Sequence, residues 1–248
     1  MHRFFVSPSH IRGNAVYFPQ DLSRQISRVL RMSPGDEVIV LDNNGGQYTV
    51  SLSAIAPTQT EGRITGRRAG CGEPAIRLTL YQAMIRPERF EWALQKCTEL
   101  GVSHFVPIVT RRTFHGRGSV SANRMERWRR VIREAAEQSG RSRLPELDNP
   151  QTLEDTLETA PRPVLMAWEG ETQQSLKSTL EHWRDQTAVS DNVSIFVGPE
   201  GGFDSVEVNI AQGLGVGTVG MGRRILRSET AAVALTTAIM YEWGELTP

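Results

Sequence analysis

The residues best suited by type and spacing to chemistry lie in two segments near the C-terminus. In the first, the run Ile195-Phe196-Val197 leads into Gly198-Pro199-Glu200-Gly201-Gly202-Phe203, and Asp204-x-x-Glu207 follows as a capping box that starts a helix. Backbone can approach a ligand closely at Gly201 and Gly202, because no Cβ intervenes. A glycine loop at the carboxyl end of a strand is where open α/β sheets bind ligands; a tight strand-to-helix turn reads the same way. The loop is neither a P-loop, since no Gly-Lys-Ser/Thr follows, nor a GxGxxG dinucleotide signature. The second segment, MGRRILRSETAA (221–232), leads from a short strand into the last helix. Ser228 is expected to cap that helix, and Thr230, Ala231 and Ala232 begin a face of small residues. That face fits an internal packing surface or a dimer interface with Tyr241 and Trp243 at its end.

Two kinds of element must position these segments. The first 70 residues read as short strands and turns: HRFFV, AVYF, DEVIVLD and QYTVSLSAI, with one helical stretch from Leu22 to Arg31. Asn43-Asn44-Gly45-Gly46 between two β-branched runs is hairpin chemistry. A Rossmann reading of VIVLDNNGG fails, because a strand follows where a helix is required. GRRAGCGEPA (66–75) has the composition of a linker. From Ala75 the pattern alternates strand and helix, which signals an α/β domain with a mostly parallel sheet. The strands are IRLTLYQAMI, HFVPIV, PVLMAW, VSIFVG and VGTVGM. Pro87 and Gly101 delimit one helix. A second opens with the capping box Asn123-x-x-Glu126 and buries Met125, Trp128, Ile132, Ala135 and Ser139.

The 248 residues, 39% of them hydrophobic, suit one large or two modest globular domains. No run of about 18 apolar residues exists, and the first ten residues lack a secretory core, so a cytoplasmic protein with no membrane partner is expected. Cys71, Cys97 and five scattered histidines show neither disulfide framework nor metal-ligand spacing, so no metal is expected. Net charge is zero, from 28 basic and 28 acidic residues, but the halves differ. Residues 148–248 carry 6 basic and 15 acidic groups, whereas ten arginines stand against three glutamates between Arg111 and Arg143. Self-repulsion on that scale favours a phosphate-contact surface over a solvated helix face. Arg111, Arg112, Arg129, Arg133 and Arg143 are its candidates, extended by Arg28 and Arg31 in the first module. Genome base composition would explain the preference for arginine, 26 of the 28 basic residues, equally well.

Five ordered blocks make the chain recognisable: VLRMSPGDEV (29–38), FEWALQKCTELGV (90–102), EAAEQSGRSRLPEL (134–147), GPEGGF (198–203) and MGRRILRSETAA (221–232). Together they resemble the bacterial 16S rRNA (uracil-N3)-methyltransferase family of the SPOUT superfamily. The resemblance implies a PUA-like β-barrel that binds RNA, residues 1–70, and a SPOUT-type α/β methyltransferase domain, residues 71–248. It also implies a deep trefoil knot within about 163–248 that holds S-adenosylmethionine, a feature no topology rule would supply. Family members are homodimers that methylate N3 of one uridine in the decoding region of 16S rRNA, preferring the assembled small subunit. Two departures are visible: Gln25, where relatives often have histidine, and Met221, where many have leucine.

In that reading Gly198, Pro199, Glu200, Gly201 and Gly202 wrap the cofactor together with Met221, Gly222, Ile225 and Leu226, and Leu165 to Trp168 close the third side. Uridine N3 is protonated at neutral pH, so loss of that proton is the chemical difficulty. Glu137, Glu200 or Glu229 would accept it, or Arg227 or Arg141 would stabilise the developing anion through O2 or O4. A capping or salt-bridge role fits each glutamate as well. The alternative from another class is a non-catalytic RNA-binding or ribosome-assembly protein.

Overall fold

Residues 1–113, 120–185 and 191–247 are described by a computed structural model of the chain. They divide into two units: Met1–Glu73 with Arg133–Leu144, and Pro74–Ile132 with the chain from Pro145 onward.

The first unit is a six-stranded sheet. Its strands are β1 (Arg3–Phe5), β2 (Ile11–Arg12), β3 (Ala15–Phe18), β4 (Glu37–Leu41), β5 (Gly46–Ile55) and β6 (Thr60–Ala69), in the order β1-β4-β5-β6-β3-β2. The expected hairpin joins β4 to β5: Asn43 and Gly45 take positive φ, and the Asp42 carboxylate accepts the Asn44 and Gly46 N–H groups at 2.8 Å. The helical stretch begins earlier than expected, as α1 (Gln20–Arg24), and continues as a wider turn over Gln25–Val29. The linker expectation needs a larger correction. Gly66 to Ala69 extend β6 and pair with Gly46 to Thr49. Glycine is tolerated there because pairing is held by backbone, and the Arg67 guanidinium donates to Gly13 O and to Asn14 Oδ1.

The second unit is built on β7 (Arg77–Ala83), α2 (Pro87–Glu99), β8 (His104–Val109), α3 (Ala122–Ser139), β9 (Glu146–Leu147), β10 (Gln151–Thr152) and α4 (Leu153–Thr159). It continues through β11 (Val164–Ala167), α5 (Leu176–Asp185), β12 (Asn192–Val197), α6 (Ser205–Gly213), β13 (Gly217–Val219) and α7 (Ser228–Glu242). The strands form one sheet in the order β10-β8-β7-β12-β11-β13, with β9 beside β8 and every pairing parallel. Successive side chains in a strand point to opposite faces, so a sheet covered on both sides needs apolar residues at every position. Leu78, Leu80, Phe105, Leu165, Val193 and Ile195 accordingly pack on one face against α2, α7 and the start of α3. Tyr81, Val106, Met166 and Phe196 pack on the other against α4 and α6.

Helix α3 crosses the division. Met125, Trp128 and Ile132 are buried in the second unit, as their spacing predicts. Its start is corrected: Ser121, not Asn123, accepts the Arg124 N–H at 3.4 Å, and helix begins at Ala122. Serine caps as well as asparagine, and either start leaves the apolar stripe in register. The stripe ends on Ala136 and not on Ser139, which is exposed and donates its hydroxyl to Ala135 O. Ala136 and Leu144 pack with Phe5, Ile39 and Leu41.

Candidate functional site

Because β12, β11 and β13 are adjacent and parallel, their carboxyl ends lie side by side, and the three loops that follow enclose one cavity of 560 Å³. Its walls are Ala167–Glu169 and Glu171 after β11, Val197–Gly202 after β12, and Gly220–Ser228 after β13, with Arg89 of α2 and Ala231 of α7. This size and position are those of a small-ligand site in an open α/β sheet.

Each loop is held by a different device. After β12, the buried Ser228 hydroxyl donates to Gly198 O and accepts from Gln82 Nε2, tying the ends of β7, β12 and α7 together. Ser228 therefore does not cap α7, contrary to expectation; Arg227 occupies the cap position without a side-chain bond. Gly202 has φ +67°, and a Cβ on it would lie 1.9 Å from Glu169 Oε1. The capping box forms as expected, with Asp204 accepting Val206 N–H and Glu207 accepting Asp204 N–H. After β11, the Glu171 carboxylate accepts the Thr218 hydroxyl at 2.7 Å and the N–H groups of Gln173 and Gln174, which hold its carboxyl below the usual range. The loop after β13 is clasped against it: Gly220 N–H donates to Gln174 O, and a Cβ at Gly220 would lie 2.5 Å from Glu171 O. Gly222 has φ +95° with open space around it, and Gly222–Ile225 are exposed.

Charge is distributed unevenly over the cavity. Arg89 lies 3.6 Å from Glu229 and 3.9 Å from Glu200. Among the described residues, Arg223, Arg224 and Arg227 have no acidic partner, and the buried Glu229 Oε2 accepts no hydrogen bond. Cys97 is buried in the core, which pushes its thiol up to about 12 and removes it as a nucleophile. Among the described residues no group of three or more metal-ligating side chains occurs, and no helix is long and apolar enough to cross a membrane.

Of the residues singled out in the sequence, Gly198–Gly202, Met221, Gly222, Ile225, Leu226 and Arg227 meet at this cavity. Leu165 is fully buried within β11 and faces the core; Ala167 and Trp168 line the cavity. Glu229 stands behind its rim, against Arg89. Glu137 and Arg141 belong to the first unit. The Glu137 carboxylate accepts the Phe5 N–H at 3.0 Å, and burial pushes it up to about 7. Arg141 is buried and pairs with Glu73 at 2.8 Å, while Glu73 also accepts the N–H groups of Ser142 and Arg143.

Among the RNA candidates, Arg28, Arg31, Arg129, Arg133 and Arg143 are exposed. Arg112 is engaged with Gly201 O and Asp204, and Arg127 of the same basic run with Glu91 at 2.6 and 2.7 Å. Arg117 and His115 lie outside the described residues. Sequence reasoning missed Arg89, Glu169 and Glu171. A basic residue in the first turn of a helix, where the dipole disfavours it, was the available signal for Arg89.

A parallel sheet with helices on both faces and its ligand cavity at the strand ends defines an α/β ligand-binding protein. Residues 72–240 match the model of the RNA methyltransferase domain, and residues 26–64 match that of the RNA methyltransferase PUA domain. The chain belongs to the RNA methyltransferase family. It is 32% identical over 230 residues to ribosomal RNA small subunit methyltransferase E of Synechocystis, covering 93% of this chain and 74% of that protein. The Bacillus subtilis protein of the same name is 28% identical, with 88% and 86% covered. Among solved structures, ribosomal RNA small subunit methyltransferase E from Neisseria gonorrhoeae, bound to S-adenosyl methionine, matches with TM-score 0.88 and 29% identity over 100% of both chains. A methyltransferase from Legionella pneumophila in complex with the bound cofactor SAM matches with TM-score 0.85 and 27% identity over 96% of both.

Proposed function

We propose that the protein is an S-adenosylmethionine-dependent rRNA methyltransferase that modifies N3 of one uridine in the decoding region of 16S rRNA, on the assembled small subunit. The observation that carries this reading is the cavity in which the two motif segments, GPEGGF and MGRRILRS, meet at the ends of β12 and β13 with the loop after β11 between them. The cavity suits the cofactor: five glycines line it, Gly198, Gly201, Gly202, Gly220 and Gly222, and a ligand can approach their backbone N–H and C=O groups with no Cβ in between. Gly198–Gly202, Met221, Gly222, Ile225 and Leu226 would hold it, backed by Trp168. When bound, it supplies an electrophilic methyl group.

The chain's own residues then have two tasks. One is orientation, by loops clasped at Gly198, Gly202 and Gly220. The other is the N3 proton, for which Glu200 of the cavity wall would be the acceptor and Arg227 would stabilise negative charge on the uracil oxygens, while Glu229, buried behind the rim, pairs with Arg89. Glu137 and Arg141, engaged with Phe5 and Glu73, serve the first unit's packing. We assign RNA recognition to residues 1–70 and catalysis to residues 71–248, with Arg28, Arg31, Arg111, Arg129, Arg133 and Arg143 on phosphates.

The trefoil knot belongs to this reading. It is supported by the order β12-β11-β13 and by the close, hydrogen-bonded approach of the loops at Glu171–Gln174 and Gly220. So does a homodimer in the cytoplasm: α7 carries no charge between Glu229 and Glu242, and Tyr241 at its end is 72% exposed. Trp243 instead stacks edge-on against Trp183 within the unit.

The test is to incubate the protein with labelled S-adenosylmethionine and small ribosomal subunits from cells lacking the gene, then map the methyl. Incorporation at a uridine N3 is expected. Binding to the subunit without incorporation would instead favour a non-catalytic assembly factor.

A further inference from the structure

Two residues outside the cavity wall, Arg112 and Glu207, are hydrogen-bonded to its glycine loop and to the residue that ends it. At the exit of β8, Thr110 and Thr113 close a tight buried turn, with Thr113 Oγ1 accepting the Thr110 N–H at 2.9 Å. Glu207 of α6 is 1% exposed, and its two oxygens divide between separate segments. Oε1 accepts the Arg111 N–H of that turn at 2.6 Å, and Oε2 accepts the Asp204 N–H, which ends the glycine loop, at 2.8 Å. The connection is returned by Arg112, whose guanidinium donates from Nη1 to Gly201 O at 3.0 Å and from Nη2 to Asp204 Oδ2 at 3.1 Å. The loop is thus held at one end through Gly198 O by Ser228 and at the other through Gly201 O by Arg112.

We infer that Arg112 and Glu207 are positioning residues for the cofactor loop, and that Arg112 acts on Gly201 and not on RNA phosphate. The inference rests on the reading of the cavity as the S-adenosylmethionine site. An exposed arginine–aspartate pair adds little stability by itself. Its consequence here is geometric: the planar fork satisfies a backbone carbonyl and a carboxylate together, which a lysine cannot do in the same plane. Glu207 fixes the backbone from which that fork extends. A buried carboxylate that accepts two N–H groups is costly to replace, because either donor left without a partner loses its hydration for nothing.

The experiment uses the full-length chain as wild type, Arg112→Ala, Arg112→Lys and Glu207→Gln. It measures S-adenosylmethionine affinity by calorimetry, small-subunit affinity as a function of salt, and thermal stability. Loss of a charge-assisted bond to the loop is expected to weaken cofactor binding about tenfold in Arg112→Ala, with partial recovery in Arg112→Lys. Affinity for the subunit and its salt slope should stay at wild-type values, and KM should rise for the cofactor alone. Glu207→Gln, which presents an amide donor to one of two N–H donors, should weaken cofactor binding in the same direction. Unchanged cofactor affinity in Arg112→Ala, with a salt slope lower by about one, would overturn the inference and return Arg112 to the phosphate surface. If Arg112→Ala fails to fold, Arg112→Lys decides on the same two readouts. A wild-type chain that binds no S-adenosylmethionine would instead overturn the reading of the cavity.

Discussion

Replacing Gly202 by alanine tests whether the glycine loop must keep its observed shape to hold a ligand. Gly202 has φ +67°, where an L-residue is strained by about 1–2 kcal/mol. The added methyl would also lie 1.9 Å from Glu169 Oε1, but that side chain is exposed and can swing aside, so the backbone term dominates. If the loop stays in place in the free protein, the strain destabilises the fold, at about 2–4 °C in Tm per kcal/mol for a chain of this size. If the loop relaxes, the strain returns on binding and weakens S-adenosylmethionine by about 5- to 30-fold, at about 1.4 kcal/mol per factor of ten. Calorimetric affinity and Tm, taken together, should account for about 1–2 kcal/mol. Gly213→Ala serves as the control, because no positive φ is required there and a Cβ meets nothing within 4 Å. A Gly202→Ala protein matching wild type in both measurements would refute the claim that this backbone conformation matters.

Three further perturbations probe other links. Ser228→Ala removes the hydroxyl between Gln82 and Gly198 O, leaving a buried carbonyl unpaired; a loss of about 1–3 kcal/mol in denaturant unfolding is expected, and an unchanged midpoint would show that the loop is anchored elsewhere. Glu137 has a folded-state pKa raised from 4.5 to about 7, so the folded protein binds more protons than the unfolded chain between those values, and stability falls as pH rises across that window. Glu137→Gln keeps an acceptor for the Phe5 N–H and should flatten that decline; parallel Tm-versus-pH curves for the two proteins would contradict it. Reversing charge at Arg129 and Arg133, both exposed, should weaken binding to the small subunit and lower its salt slope while leaving cofactor affinity intact. Equal salt slopes would remove α3 from the RNA surface.

Much of the fold was legible because local rules and global packing agree. Five of the seven strands of the parallel sheet follow from apolar runs, and α2 from Pro87 and Gly101, whereas the two-residue strands β9 and β10 carry no such run. The Asn-Asn-Gly-Gly hairpin formed because only such residues tolerate its positive φ. Where the reading failed, two local codes were equivalent. Ser121 and Asn123 cap equally well, and Gly66-Arg67-Arg68-Ala69 is as compatible with a strand end as with a linker. The division between units illustrates a different failure. Ala136, Glu137 and Arg141 carry ordinary helical spacing, and nothing local reveals that they pack with Phe5, Leu41 and Glu73, more than 60 positions away.

The sequence by itself determined the longer strands of the parallel sheet, the helices α2 and α3 and the two glycine-bearing segments that meet at the cavity, because those depend on residues close together in the chain. It also exposed the basic run from Arg111 to Arg143 beneath a neutral total. Tertiary structure decided what each charged side chain does. It spent Arg112 on the glycine loop, Arg127 on Glu91 and Arg141 on Glu73, and among the described residues left Arg223, Arg224 and Arg227 without acidic partners at the cavity. A charge's role is set by what lies within a few ångströms of it, and that neighbourhood comes from strand order and long-range packing, which spacing along the chain does not encode.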